Sequence, residues 1–582
     1  MAGGGADLLT AAGIRASLQA LEGAQAEVSD AAPGGEGLLI RVRQASPTGW
    51  HVQYMWAPLS VRKGTAYVLR LNLRANRETR INVNCMMAHE PWRRLGLSQD
   101  VTVTPEWRQH EFYFTATADD APGDAGGARI TLSNLSQEDL ELAVSGASLK
   151  EASVLGLLAE ETLDAGVRLP KRTQLTARTP AVQKDVGAFL RDTEVAYWRG
   201  MRDYLHGELG VRMPVTGTAV GYVSPYVAAE TSDFVDSHSY WRHPQFPGRP
   251  WDRDNWIIRN DAMVNMPDGS TLATLAPRRV FGLPYTVTEY NHPQPHHYAA
   301  EGFPLVAVYG SFQGWDGLFQ FAYSHNDHWE MDHFESFFDM KADAVKLALM
   351  PACADILRNG RVAAAAQTQV GRLPLDERLQ LIPTNPRAIH ALTGGVDGLA
   401  WQKARVGVAL GEAEPPDVTD QPADVRWEVS DGRGLVRYVG QQCAGLIGFA
   451  EGQALSAGGL TITPGATALD GFSVVMVNSV NGQTLGEPGR YLITAASRCW
   501  NSNMGWNAER NSVGRNWGDG PTLCEAVPLE LRTRAGDRTV QLYPLAADGS
   551  RRAEMKAREG APATFDLDAR YKTLWYELVI GG

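Results

Sequence analysis

From about residue 8 to 150 the chain runs in short stretches that alternate apolar and polar side chains, as in LLIRVRQ, GWHVQYMWA, AYVLRLNLRA, RINVNCMMA and HEFYFTATA. Alternate side chains of an extended strand point to opposite faces. Such stretches, parted by Gly, Pro, Asn or Asp, therefore predict an antiparallel β-sandwich over 1–152. The mixed stretch 153–182 reads as a linker. From Asp185 the period changes: DVGAFLRDTEVAYWRGMRDYLHGELG spaces its apolar residues as a helix does and stops at a Gly, ahead of the short apolar run MPVTGT. Strand-like runs at FVDSHSYW, PYTVTEYNH and GLFQFAYSH then alternate with the helical segments EGFPLVAVYGSFQGW and MKADAVKLALMPACADIL. This alternation predicts parallel βα units over 183–375, with strand ends at Thr216, His238, Glu289 and Ser324. A closed (β/α)8 TIM barrel has eight strands, so the expectation is a partial barrel of about four βα units. Beyond it, short strands rich in Gly and Thr return, among them GLVRYVG, FSVVMVNS, RYLITAAS and TLWYELVI, and predict a C-terminal β-sandwich over 376–582.

A chain of 582 residues fits this multidomain plan, since one core serves about 100–200 residues. The net charge of −12, with no basic run, argues against nucleic acid, whose phosphates are held by clustered Lys and Arg. Sixteen Trp, 18 Tyr and 16 Phe supply flat apolar faces on which sugar rings stack, so a neutral ligand fits better. The five Cys lack CxxC spacing and indicate neither a structural zinc site nor a disulfide framework; only Cys499 and Cys524 lie near enough in one module to suggest a pair. No run approaches about 18 apolar residues, so no membrane span is expected. The opening MAGGGADLLTAAGIRASL lacks the charged-then-apolar order of a signal peptide. No cofactor is required by these residues. The cluster SHNDHWEMDHF holds His325, Asp327, His328, Glu330, Asp332 and His333, but its irregular spacing reads as a solvated loop ahead of a metal site.

Chemistry concentrates at the strand ends. In YTVTEYNHPQPHHY a β-branched strand ends at Glu289, which is followed at once by Tyr290, Asn291 and His292. Residues at the C-terminal ends of barrel strands face the active site. The preceding strand end offers Asp236, His238, Tyr240 and Trp241, and the following one Trp315, Phe321, Tyr323 and Ser324. A carboxylate held ionised among Tyr and His donors and Trp faces suits nucleophilic attack at a sugar's anomeric carbon. One isolated Glu would be an ordinary surface carboxylate; three successive strand ends carrying polar and aromatic groups favour a site.

The runs DFVDSHSYWRHPQFPGRPWD, PYTVTEYNHPQP and GWDGLFQFAYSH resemble strands six, seven and eight of clan A glycoside hydrolases, close to the cellulase-like family 5 proteins. FLRDTEVAYWRGMRDYLHGELGV with PVTGT resembles the unit leading into strand five, so the likeness spans about 180–360. It implies a retaining glycosidase acting on a β-linked polysaccharide or oligosaccharide, with Glu289 as nucleophile. The substrate-binding set it implies is His238, Tyr240, Trp241, Tyr290, Asn291, His292, Trp315 and Tyr323. Members of that family place the acid/base in an Asn-Glu pair after strand four, and this chain contains no Asn-Glu dipeptide. Retention needs two carboxyl groups about 5–5.5 Å apart, so Glu289 alone does not complete the chemistry. Glu301, Asp316, Asp327 and Glu330 are the substitutes at hand, each more at home as a solvated loop charge.

In the first block, GWHVQYMWAPLSVRKGTAYVLRLNLRA and TPEWRQHEFYFTATA resemble carbohydrate-binding modules of families 4 and 9, which are jelly rolls. The resemblance implies a glycan groove at Trp50, Gln53, His89, Glu90 and Trp92, with Trp56 and Trp107 as core anchors. A structural Ca2+ and an extracellular or periplasmic setting are further implications of it. The open edges of half a barrel predict a homodimer or larger homo-oligomer in which a neighbour's carboxylate complements Glu289. The competing expectation is a glycan-binding protein without a full catalytic pair.

Overall fold

The computed structural model describes residues 6–581 apart from 31, 33–36, 124–125, 153–161, 163, 171–174, 176–177, 218–224, 385–397, 412–414, 416–422, 535 and 562. Two compact units emerge: 1–192 with 375–386, and 193–374 with 387–582. Much of the linker 153–182 lies outside the described residues.

The first unit contains β1 (Arg15–Ala20), β2 (Gln25–Ser29), β3 (Leu38–Gln44), β4 (Val52–Leu59), β5 (Ala66–Ala75), β6 (Thr79–Met87), β7 (Arg94–Val103), β8 (Arg108–Thr115), β9 (Ala128–Ser133) and β10 (Glu141–Ala152). They form two five-stranded sheets, β1-β4-β9-β6-β7 and β2-β3-β10-β5-β8. Alternation sorts each strand. On the first sheet Val52, Tyr54, Trp56, Ile81, Val83, Cys85, Ile130 and Leu132 enter the core, where they meet Leu69, Leu71, Phe112, Phe114 and Leu142 of the second. Each such side chain contributes about 1.5–3 kcal/mol when removed from water. Trp56 is buried in this core and Trp107 packs on a small satellite cluster, as expected of anchors.

In the second unit β11 (Val235–Tyr240), β12 (Tyr285–Asn291) and β13 (Gly317–Gln320) form a parallel sheet in that order. A further parallel pair joins β14 (Thr368–Gly371) to β15 (Arg405–Val408). Of the four strands expected of a partial barrel, three, β11, β12 and β13, pair in this way. Among the described residues no (β/α)8 barrel closes, and the strand foreseen at MPVTGT is absent: Thr216 makes no ladder, and its hydroxyl donates to the Phe234 carbonyl at 3.0 Å. Ser324 lies four residues past the end of β13 and so is no strand terminus. The helices Gly302–Gln313 and Ala344–Arg358 fall where the sequence places them. The first is apolar all round and buried along nearly its whole length; it stops at Gly314, whose φ of 69° is the left-handed turn that Gly adopts without strain.

The C-terminal strands build a seven-stranded antiparallel sheet facing a four-stranded one. The central strand Phe472–Ser479 is buried at every position. One face, Val475 and Val477, enters the core shared with the four-stranded sheet; the other, Val474 and Met476, enters a core that also holds Tyr290, Leu305 and Val345. The boundary drawn at 375/376 therefore separates no two cores. A sheet covered on both faces needs apolar residues in succession, which is why FSVVMVNS shows no polar alternation.

Candidate functional site

Parallel register sets His238 of β11 directly beside Glu289 of β12. The Tyr240 hydroxyl donates to Glu289 Oε2 at 2.5 Å, and His238 Nδ1 lies 3.3 Å from the same oxygen. The other ring nitrogen, Nε2, is 3.2 Å from Asp236 Oδ2 and 3.0 Å from the Thr288 hydroxyl. Asp236 is in turn the acceptor for the Thr286 hydroxyl at 2.5 Å, the Thr288 hydroxyl at 2.6 Å and the Thr288 amide at 3.1 Å. Burial alone would raise the Asp236 pKa, but its hydrogen bonds to His238, Thr286 and Thr288 hold it below the usual carboxylate range. Asp236 thus stays ionised and fixes the imidazole that faces Glu289. Burial first, and then the bond to Glu289, push the Tyr240 phenol well above the ordinary tyrosine range, so it remains a donor.

Tyr240 packs edge-on against Phe338 and Phe321, with ring centroids 5.2 and 6.0 Å away. Those two rings also line a cavity of about 830 Å3 whose walls include Trp251, Trp256, His325 and Trp517. Trp251 is 59% exposed, while Trp256 and Trp517 stack at 5.8 Å. His325 hydrogen-bonds through Nδ1 to the buried Asp339 carboxylate.

Of the predicted set, His238, Tyr240 and Glu289 come together. Tyr323 stands apart, 45% exposed and stacked on Trp329 at 6.0 Å. Trp241, Tyr290, Asn291, His292 and Trp315 are corrections, because all five are buried, although Trp241 lines a small pocket beside Tyr240. Trp241 donates to the Asp261 carbonyl at 2.9 Å, Tyr290 bonds the Thr271 hydroxyl at 2.9 Å and His292 Nε2 at 3.0 Å, and Trp315 packs on Tyr285. Asn291 donates to the carbonyls of Phe321 and Phe338 and accepts from Lys346 Nζ at 2.9 Å, so it holds in place the two rings that flank Tyr240. These residues support the site from beneath. A register irregularity between Val287 and Glu289 breaks the alternation of β12, so Tyr290 and Asn291 are both buried while Glu289 is not.

The substitute acids fare no better. Glu301 accepts from the amides of Met263 at 2.5 Å and Val264 at 3.1 Å, and Asp316 accepts from the Tyr285 amide at 2.8 Å. Asp327 and Glu330 are exposed. No group of three or more His, Cys, Asp or Glu among the described residues is arranged to hold a metal, and His333 pairs with its neighbour Asp332. No described helix is long and apolar enough to cross a membrane.

In the first unit, the residues of the β1-β4-β9-β6-β7 sheet that alternate with the core point to its other face: Gln53, Met55, Asn82, Asn84, Met86, Arg129 and Thr131. Trp92, 48% exposed, lies under the Arg129 guanidinium at 5.4 Å. Buried Asn84 Oδ1, Thr131 Oγ1 and Arg129 Nε have no hydrogen-bond partner among the described residues. Gln53 is buried and donates to the Trp50 carbonyl at 2.7 Å, leaving the Trp50 ring exposed. His89 is spent on Asp120 at 3.3 Å and on the neighbouring Glu90 carbonyl at 2.7 Å. The sequence reading found Gln53 and Trp92 but missed Asn84, Arg129 and Thr131, whose alternation carried the signal. It also missed Trp251, within the quoted run RHPQFPGRPWD, and Trp517, which no local pattern connects to Glu289.

Neither a scan against protein-family models nor a search of curated proteins finds a match. Among solved structures, the chain is similar to one described as a family 4 carbohydrate-binding module at 19% identity, covering 24% of this chain and 94% of that one, with a TM-score of 0.21. The N-terminal cellulose-binding domain of Cellulomonas fimi β-1,4-glucanase C matches at 19% identity over 24% of this chain and 90% of its own, with a TM-score of 0.20. A family 11 carbohydrate-binding module of a Clostridium thermocellum cellulosomal cellulase matches at 10% identity over 26% and 95%, with a TM-score of 0.18. At these TM-scores the likeness carries no argument.

Proposed function

We propose that this protein acts on β-linked glycans, with Glu289 as the nucleophile of a retaining glycoside hydrolase. The observation that carries the reading is a carboxylate at the end of the middle strand of a parallel sheet, faced by His238 at 3.3 Å and bonded at 2.5 Å by Tyr240, whose ring packs on two of the aromatic side chains lining a cavity. In this reaction a Glu289 oxygen attacks the anomeric carbon as the glycosidic C–O bond breaks, giving a glycosyl ester. A proton donor protonates the departing oxygen; water then attacks the same carbon and releases the Glu289 carboxylate. Tyr240 and His238 keep that carboxylate aimed, and Trp251, Phe321 and Phe338 offer faces for the sugar. In this reading the proton donor comes from a neighbouring subunit. The test is reducing-sugar release from a panel of β-glucan, mannan, xylan and galactan, run at several protein concentrations on wild type and Glu289→Gln. Loss of release in a variant that melts like wild type is expected, and unchanged turnover rejects the assignment.

A second reading, binding without hydrolysis, is favoured by a separate observation. Polar atoms of Asn84, Thr131 and Arg129 lie unpartnered on the outer face of the first unit's sheet, next to the exposed Trp92. A buried polar atom without a partner costs about 1–3 kcal/mol, a cost that sugar hydroxyls would relieve. Glycan retention by a protein that releases no sugar would select this reading.

A further inference from the structure

We propose that Cys499 and Cys524 are a covalent modification site, joining as an intramolecular disulfide that fixes the segment walling the cavity lined by Trp256, Phe338 and Trp517. The two face each other as a direct pair in the antiparallel ladder of strands Cys499–Ser502 and Asp519–Cys524, with their sulfurs 3.8 Å apart. Side chains directly opposite on neighbouring strands have Cβ atoms about 4.5–5.5 Å apart, and a disulfide draws them to about 3.5–4.5 Å, so closure needs only a small adjustment. Cys85, Cys353 and Cys443 are all buried, and Cys443 turns its thiol to the Arg361 carbonyl at 3.5 Å.

The pair is also asymmetric in access. Cys499 is 7% exposed within the core, whereas Cys524 is half-buried and lines a surface groove with Leu347, Thr522 and Trp575. Burial holds the Cys499 thiol well above the ordinary range, so Cys524 is the sulfur that reacts first. Its thiolate attacks one sulfur of a small-molecule disulfide such as oxidised glutathione, forming a mixed disulfide and expelling one thiolate. Cys499, losing its proton to solvent, then attacks Cys524 Sγ and expels the second. Two protein thiols are oxidised and one external disulfide is reduced to two thiols.

What the bond would hold is the chain between the two strands, which has little regular structure. It carries Trp517 to its stack on Trp256, Arg515 to the cavity lining, and Trp506 to within 5.0 Å of His297. Near its base it is tied by Asn501, which donates to the Phe334 carbonyl at 2.5 Å and accepts from the Phe334 amide at 3.1 Å. A cross-link at that base restricts the unfolded chain and pins the wall to which Trp517 belongs. None of this depends on Glu289 being a nucleophile.

The test uses the full chain, equilibrated with oxidised and reduced glutathione, then denatured and titrated for free thiols and mapped by non-reducing peptide mass spectrometry. The count should fall from five to three, with the peptides holding Cys499 and Cys524 linked. The oxidised form should melt about 5 °C above the reduced form, and Cys524→Ser should abolish that difference while Cys353→Ser leaves it. Five free thiols after oxidation, or a link between other cysteines, overturns the proposal. The peptide map decides the matter on wild type even if a variant fails to fold.

Discussion

Replacing Tyr240 by Phe removes a single oxygen from the candidate site and leaves its packing in place. The phenyl ring retains its edge contacts with Phe338 and Phe321, so the fold should melt within a degree or two of wild type. What disappears is the 2.5 Å hydrogen bond to Glu289 Oε2, leaving His238 Nδ1, 3.3 Å away, facing the carboxylate. A hydrogen bond to a charged group contributes about 1.5–3 kcal/mol. The Glu289 side chain is 33% exposed, and solvent takes up part of that loss, so the lower end applies. A loss of about 1.4 kcal/mol of transition-state alignment corresponds to about a tenfold change in rate. On a β-linked substrate kcat/KM should therefore fall about tenfold. The rate of Glu289 labelling by an epoxide-bearing glycoside, which needs no proton donor from another subunit, should move with it. A Tyr240→Phe protein that folds like wild type and shows both rates unchanged refutes the claim that this bond aims the nucleophile.

Two further outcomes separate binding and stability roles. In the first unit Trp92→Ala should weaken glycan retention on affinity gels about tenfold with little change in melting, whereas Trp56→Ala, cut from the core, should cost about 3–5 kcal/mol in urea titration. In the second unit burial pushes the Glu301 carboxyl up to about 8, partly offset by the Met263 and Val264 amides. A raised folded-state pKa stabilises fully below the ordinary carboxylate value and loses that contribution as pH climbs through about 8, so wild type should lose a few kcal/mol between about pH 4.5 and 8 that Glu301→Gln does not lose. The opposite slope from His296, whose pKa burial lowers to about 3, is common to both proteins and cancels in the difference.

The sequence read best where one physical rule dominated. Strands with one solvated face alternate, and the runs that became β3, β4, β5, β6, β8 and β10 could be foreseen for that reason, whereas β1, β2, β7 and β9 were not singled out. The helices at Gly302–Gln313 and Ala344–Arg358 and the β11-β12-β13 order followed from strand-helix alternation. The sandwiches of the predicted fold class are present, and the partial barrel is where tertiary context took over. MPVTGT has the apolar content of a strand but finds no ladder, and a short apolar run does not reveal in advance whether a neighbour exists to pair with it. The site was legible at Glu289, His238 and Tyr240, which share a strand face or a register position. Neighbours in sequence such as Tyr290 and His292 were placed in the mouth because their chemistry suited it, but a register irregularity at Thr288, which no sequence pattern announces, turns Tyr290 into the core. Trp517 was invisible as a site residue, since it reaches the cavity through a contact between segments more than 190 positions from Tyr323 in the chain.

The same reasoning explains how three parallel strands persist without a barrel. A parallel sheet is covered on both faces, and a lone three-stranded one would leave apolar surface in water. Here the helices Gly302–Gln313 and Ala344–Arg358 share a core with Val474 and Met476 of the C-terminal sheet, whose own second face is occupied by the four-stranded sheet. The C-terminal strands thus do for β12 part of what barrel closure does elsewhere: they bury the helical layer against which Tyr290 packs and so fix the strand that ends at Glu289. Asn501 and Trp517 extend that support to the cavity wall, Asn501 through the Phe334 backbone and Trp517 through Trp256. The C-terminal strands are therefore an integral part of the candidate site, and the position of the Glu289 carboxylate depends on residues nearly two hundred positions further along the chain.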